Sequence, residues 1–181
     1  MLESVSETPS TPPGPFTSAG SEVLRPIQMV AVAVGMGALM ISAVRIIVDP
    51  SAPLPSPWAV ALVLVALVGS ATLIRYVGYA VPSLPHGLPR ENAQSTSLRY
   101  FTSTTTLRTA LAEAPVLVAF ACSFAFMPHT WLPLLIALPG GLALFWVHGW
   151  PSPRTAAAVE AGLEADGAES YLSEALGFVT R

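Results

Sequence analysis

Glu113 and Arg75 are the residues of this chain whose types and placement could support chemistry inside a membrane. Glu113 sits in the stretch Leu107-Arg108-Thr109-Ala110-Leu111-Ala112-Glu113-Ala114-Pro115, and it is the only acidic residue within four long apolar runs. A helix entering there rises 1.5 Å per residue, which puts Glu113 roughly 10 Å inside its end. Arg75, near the end of the preceding run, reaches a similar depth from the other direction. Charges at that depth are costly, and intramembrane ionisable groups usually face the bundle and pair. An internal Arg75–Glu113 ion pair is therefore expected, with Arg108 as a second partner at the awkward spacing i−5. Pro115 removes the hydrogen bond to Leu111 and should bend the helix beside the charge. Two chemistries follow: a structural pair, or a protonatable carboxylate that carries protons or binds a cation or polar ligand.

Other reactive side chains are scattered. His86 is a loop residue, and His129 and His148 lie at opposite ends of one run, roughly 28 Å apart if it is helical. No spacing resembles a metal site. The single Cys122 lies inside the third run, where a lone cysteine acts as a small apolar filler and has no intrachain disulfide partner. There is no complete catalytic signature. No cofactor is evident, and nothing points to nucleic acid.

The elements that must position these residues are the four apolar runs, 27–48, 58–81, 110–127 and 131–147. Each is long enough, or nearly so, to cross a ~30 Å hydrocarbon core, which takes about 20 residues. Composition agrees: 52% of residues are hydrophobic, 10% are charged, and mean hydropathy is +0.61. The reading is an all-α polytopic membrane protein with a four-helix bundle at 25–150 (helices 27–48, 58–81, 107–127 and 130–148). Eight arginines and no lysine, with abundant Ala, Val, Leu and Pro, suggest a bacterial genome rich in GC.

Basic residues set topology. Arg25, Arg75, Arg90, Arg99, Arg108, Arg154 and Arg181 fall on one side if both termini are cytoplasmic, whereas 49–57 carry only Asp49. An inner-membrane protein with cytoplasmic termini is expected. Residues 1–24, acidic and rich in Ser, Thr, Pro and Gly, read as a disordered cytoplasmic tail rather than a signal peptide. Residues 82–106 read as the main cytoplasmic connector, Pro-rich at first, its second half lying along the membrane surface. Residues 151–181 form a helical tail: Ser152-Pro153 starts one helix, Asp166-Gly167 stops it, and a second covers Glu169–Leu176. With five acidic residues it suits the basic segment 82–108 or a partner better than anionic lipid.

Within the bundle, Ala31, Gly35, Ala38 and Ser42 share one face of the first span, a pattern that lets membrane helices approach closely. Arg45 continues that face and is expected to snorkel outward and pair with Asp49 at i+4. Pro139-Gly140-Gly141 falls near the membrane centre and is a candidate hinge. Trp58, Trp131, Trp146 and Trp150 suit the interfaces.

The segment Leu107–Phe126, with its Ala-Leu-Ala-Glu-Ala-Pro start, a fourth span and a short helical tail, resembles small bacterial four-span membrane proteins of unknown function. The likeness covers the C-terminal half and implies no activity. A fainter one is to the proteolipid c subunits of rotary ATP synthases, which share a small-residue first helix, here Ala31-Val32-Ala33-Val34-Gly35-Met36-Gly37, and a membrane carboxylate, here Glu113. The chain departs from them in having four spans, a carboxylate near one interface and a different loop, so no rotary function is carried over. The expected function is a non-catalytic accessory or scaffold subunit of a larger bacterial inner-membrane complex, with lipids and other membrane subunits as partners. The alternative is a small transporter or proton-handling protein centred on Glu113 and Arg75.

Overall fold

The computed structural model describes residues 18–178, all helix and connection, with no strand among them. Helix α1 spans Ser18–Val48, α2 Pro57–Tyr76, α3 Arg90–Ala125 and α4 Leu132–Leu144, the last continued by a π turn at Phe145–Gly149. Two short helices follow, α5 at Pro153–Leu163 and α6 at Leu172–Ala175. Four helices are long and apolar enough to cross a membrane: Leu24–Val48, Pro57–Tyr76, Arg90–Ala125 and Leu132–Gly149. The chain is thus an all-helical membrane protein. The acidic tail falls mostly on residues outside those described, but 18–24 are helical, so α1 begins earlier than the apolar run does.

Helix α3 is the axis of the molecule. It packs against α1, α2 and α4, and α4 also rests on α2. The membrane core is built from Ala38, Val63, Val116, Ala119, Leu134 and Ala137, all buried. Three of the six are alanines. Small side chains at the crossing allow the close backbone approach that replaces the hydrophobic drive in lipid.

The connector 82–106 is not what its sequence suggests. Only 82–89, with three prolines, is irregular; α3 starts at Arg90 and runs without interruption into the span. Residues 90–106 contain no proline or glycine, and their hydroxyls fold back onto the helix. Thr102 donates to the Leu98 carbonyl (2.9 Å) and Thr106 to that of Thr102 (3.0 Å). At 1.5 Å per residue α3 is about 54 Å long, so roughly 24 Å of it projects beyond a ~30 Å hydrocarbon core. Pro115 lies within α3 and is buried, and the helix continues through it.

The projecting half of α3 carries a helical cap. Phe101, Val159, Leu163, Leu172 and Leu176 form its core, closed by Leu84 and Ala93. The Leu84 amide donates to the Leu163 carbonyl (2.8 Å), the Ser97 hydroxyl to the Ser170 carbonyl (3.0 Å), and Arg90 pairs with Glu174. The acidic tail thus packs on the basic segment of its own chain. Ser152 caps α5: its hydroxyl accepts from the Thr155 amide (3.3 Å), while its own amide donates to the Thr155 hydroxyl (2.9 Å). Helix α6 is one turn rather than two, and Tyr171 ahead of it takes a left-handed conformation (φ 54°).

Candidate functional site

Two buried arginines organise the bundle: Arg45 makes the expected ion pair with Asp49, Arg108 makes none with Glu113, and both spend most of their hydrogen bonds on backbone and hydroxyl groups. Arg108 is fully buried on α3. Its Nε donates to the His148 carbonyl (2.8 Å), one terminal nitrogen to the Gly78 carbonyl (3.0 Å) and the other to the Thr105 hydroxyl (2.9 Å). The guanidinium lies 4.4 Å from the centre of the Tyr79 ring. The Tyr79 hydroxyl shares a 3.0 Å hydrogen bond with His148 Nδ1. Burial holds the Tyr79 phenol above its usual pKa, with Arg108 opposing, so the neutral hydroxyl makes that bond.

The two carbonyls explain the position. Gly78 lies just past the end of α2, and His148 lies in the π turn that ends the fourth span. The last carbonyls of a helix have no partner in the helix and carry partial negative charge. Arg108 meets two such ends at once, and its planar fork suits the task. This also explains why α2 stops at Tyr76 although the apolar run continues to residue 81. A Cβ at Gly78 would lie 2.7 Å from Arg108 Cγ and 2.6 Å from the Ile74 carbonyl oxygen, so the turn that presents this carbonyl needs glycine.

Arg45 repeats the arrangement on the opposite side of the membrane. It is buried rather than snorkelling. Its Nε donates to the Ser123 hydroxyl (3.1 Å) and its terminal nitrogens to the carbonyls of Ser123 (3.2 Å) and Asp49 (3.2 Å), again at helix ends. The Asp49 carboxylate completes the set at 3.5 Å, and the Phe124 ring lies 4.7 Å away. The small face of α1 allows this: Ala31, Ala38 and Ser42 are buried, and Gly35 faces Phe145, so the stem of Arg45 lies against the last turn of α3 instead of reaching for water.

Glu113 does not pair with Arg75. The ion pairs among the described residues are Arg45–Asp49 and Arg90–Glu174. Arg75 is exposed in the last turn of α2, whereas the Glu113 side chain turns to α1, its Oε1 4.0 Å from where a Cβ of Gly37 would stand. Matching depth did not bring the two together, because they point to different neighbours. Glu113 and Thr109 instead border an almost wholly apolar cavity of about 20 Å³ between α1, α3 and α4.

Pro139, Gly140 and Gly141 do not break α4, which stays α-helical through them. Both glycines are contact points. A Cβ at Gly140 would come within 2.6 Å of a Leu67 methyl, and one at Gly141 within 2.9 Å of Val116 Cγ2 and 3.0 Å of the Ala112 carbonyl oxygen. The irregular turn comes four residues later, at Phe145–Gly149, where the Trp150 amide donates to the Phe145 carbonyl (2.8 Å). Among the described residues no group of three or more His, Cys, Asp or Glu could hold a metal.

Comparison with protein-family models, with characterised proteins and with solved structures gives no match. The site therefore rests on its own geometry. A face that sequence reasoning overlooked belongs to it: Thr102, Thr106, Thr109 and Glu113 follow at steps of four, three and four on α3. That spacing puts them on one side of the helix, a pattern legible in the sequence.

Proposed function

We propose that this protein is a non-catalytic accessory subunit of a bacterial inner-membrane assembly, presenting its helical cap to partners on the cytoplasmic side. The observation that carries this is the uninterrupted α3, 36 residues that are both the axis of the bundle and the spine of the cap. A cap so joined cannot swing independently of the membrane domain, which suits a docking platform. The orientation follows from arginines gathered at the cap end. The buried arginines support the reading too: Arg45 and Arg108 are engaged in holding helix ends together, which leaves neither available for substrate. The outward side of α5, with Ala157, Ala158 and Ala161 exposed, offers a smooth surface to a partner.

The test is partner recovery from gently solubilised native membranes, with native mass determination. Ala158→Arg and Ala161→Arg place bulk and charge on exposed positions of α5 and leave the cap core untouched. The expected result is a stable complex with wild type that loses subunits in one or both variants, while the melting temperature is unchanged. A wild-type chain that migrates alone, at its own mass, is the result that rejects the scaffold reading.

A further inference from the structure

We propose that Arg75 and Arg154 form a site for the phosphate of an anionic phospholipid, at the membrane surface on the cap side. The proposal goes beyond the accessory reading and does not depend on it. The two arginines come from different elements, Arg75 from the last turn of α2 and Arg154 from the first turn of α5, and both are exposed. One ring shows that they share a corner: His148, at the end of the fourth span, lies within reach of the charges of Arg154, Arg108 and Arg75. Arg108 and Arg154 also act together on Tyr79. All of these charges are positive. Nothing acidic balances them, for neither Arg75 nor Arg154 makes an ion pair among the described residues. The carboxylates of the cap are engaged elsewhere: Glu160 and Glu164 accept from Ser170, Asp166 accepts from Ser83, and Glu174 holds Arg90.

Arg108 spends its donors on two carbonyls and a hydroxyl, so it adds charge to this corner and leaves the contacts to its neighbours. The donors open to a ligand are the guanidinium forks of Arg75 and Arg154. Such forks match the oxygens of a phosphate, often two at a time. Depth selects the source of that phosphate. Arg75 is next to last in its span, Pro57–Tyr76, and Arg154 follows shortly after the end of Leu132–Gly149. Headgroups fill roughly 5–8 Å beyond each face of the hydrocarbon core, and long arginine side chains from both positions end in that layer. Tyr76 and Trp146, both largely exposed, mark the same depth on the two helices. A lipid offers its phosphate at this level with its chains already in the bilayer. The net positive charge favours an anionic headgroup over a zwitterionic one.

The test is native mass spectrometry of the full chain in mild detergent, titrated with phosphatidylglycerol and, in parallel, with phosphatidylcholine of the same chains. Wild type should bind one phosphatidylglycerol ahead of phosphatidylcholine. Arg75→Gln and Arg154→Gln should each weaken phosphatidylglycerol about fivefold, equivalent to ~1 kcal/mol per arginine, and leave phosphatidylcholine unchanged. Arg25→Gln removes the same charge from an exposed position on α1 and should change neither. Equal binding of the two lipids by wild type overturns the proposal, and this comparison stands by itself should a variant melt early. Unchanged phosphatidylglycerol binding in both folded arginine variants overturns it too, as does an equal loss in Arg25→Gln, which would reveal charge attraction without a site. Inorganic phosphate that displaces phosphatidylglycerol at comparable concentration would assign the corner to a soluble anion and overturn the lipid.

Discussion

Replacing Arg108 tests whether helix-end capping by a buried arginine holds this bundle together. Arg108→Met keeps most of the stem volume and removes the guanidinium. It leaves the Gly78 and His148 carbonyls without the donors now at 3.0 and 2.8 Å. Each orphaned buried acceptor costs about 1–3 kcal/mol, and the lost contact with Tyr79 adds ~0.5–2 kcal/mol. Relief of the several kcal/mol needed to desolvate the cation works the other way. The expected net loss is about 3 kcal/mol, the orphaned acceptors and the lost ring contact outweighing the relief of desolvation. Arg108→Lys should be at least as damaging, because the charge stays buried while the fork that reaches two carbonyls is lost. Unfolding by SDS titration in mixed micelles, followed through the stacked Trp146–Trp150 pair, reads both. A methionine variant as stable as wild type would show that the arginine is a net burden and that packing alone sets the helix ends.

Gly141→Ala should destabilise by ~1–3 kcal/mol, because the added methyl meets Val116 and the Ala112 carbonyl in a packed crossing; Gly69→Ala, with open space around it, should instead stabilise α2 by ~0.5–1 kcal/mol, and parallel melts compare them. Arg45→Met should cost more than Ser123→Ala, since it removes four hydrogen bonds, one of them the ion pair with Asp49, and the Phe124 contact rather than one hydroxyl; equal melting shifts would reject the ranking. Asp49 is held below its ordinary value of 3.8, first by the Ser51 hydroxyl and amide and only later by Arg45. Its folded pKa is depressed, so its contribution is present above the ordinary value and is lost as pH falls through the lowered one. In an NMR titration, Ser51→Ala should raise the Asp49 midpoint more than Arg45→Met does.

The helices were legible because length and apolarity suffice to define a span. The cap was half legible: Ser152-Pro153 and Asp166-Gly167 marked α5, but the Ser- and Thr-rich residues 90–106 read as connector, since hydroxyls bonding to their own helix leave no signature in hydropathy. Depth along a helix was readable for Glu113 and Arg75, whereas azimuth was not, and azimuth decides pairing. For Arg45 and Arg108 most partners are carbonyls at helix ends, which every helix supplies whatever its sequence and which therefore leave no trace in residue types. Gly140 and Gly141 look like a break in sequence because glycine is a poor helix former, but close contact with Leu67 and Val116 is the stronger constraint.

The π turn at Phe145–Gly149 fits one more residue into a turn than an α-helix would. It therefore works as a phase shifter between two registers: α4, fixed by its glycines against α2 and α3, and the cap, fixed by α5 on the projecting half of α3. Were the same residues wound as a regular α-helix instead, everything downstream would turn by about 100°. The His148 carbonyl would swing away from Arg108, and the cap would leave the bundle out of step with its own spine. The membrane half and the cap are thus geared to each other through a single wide turn.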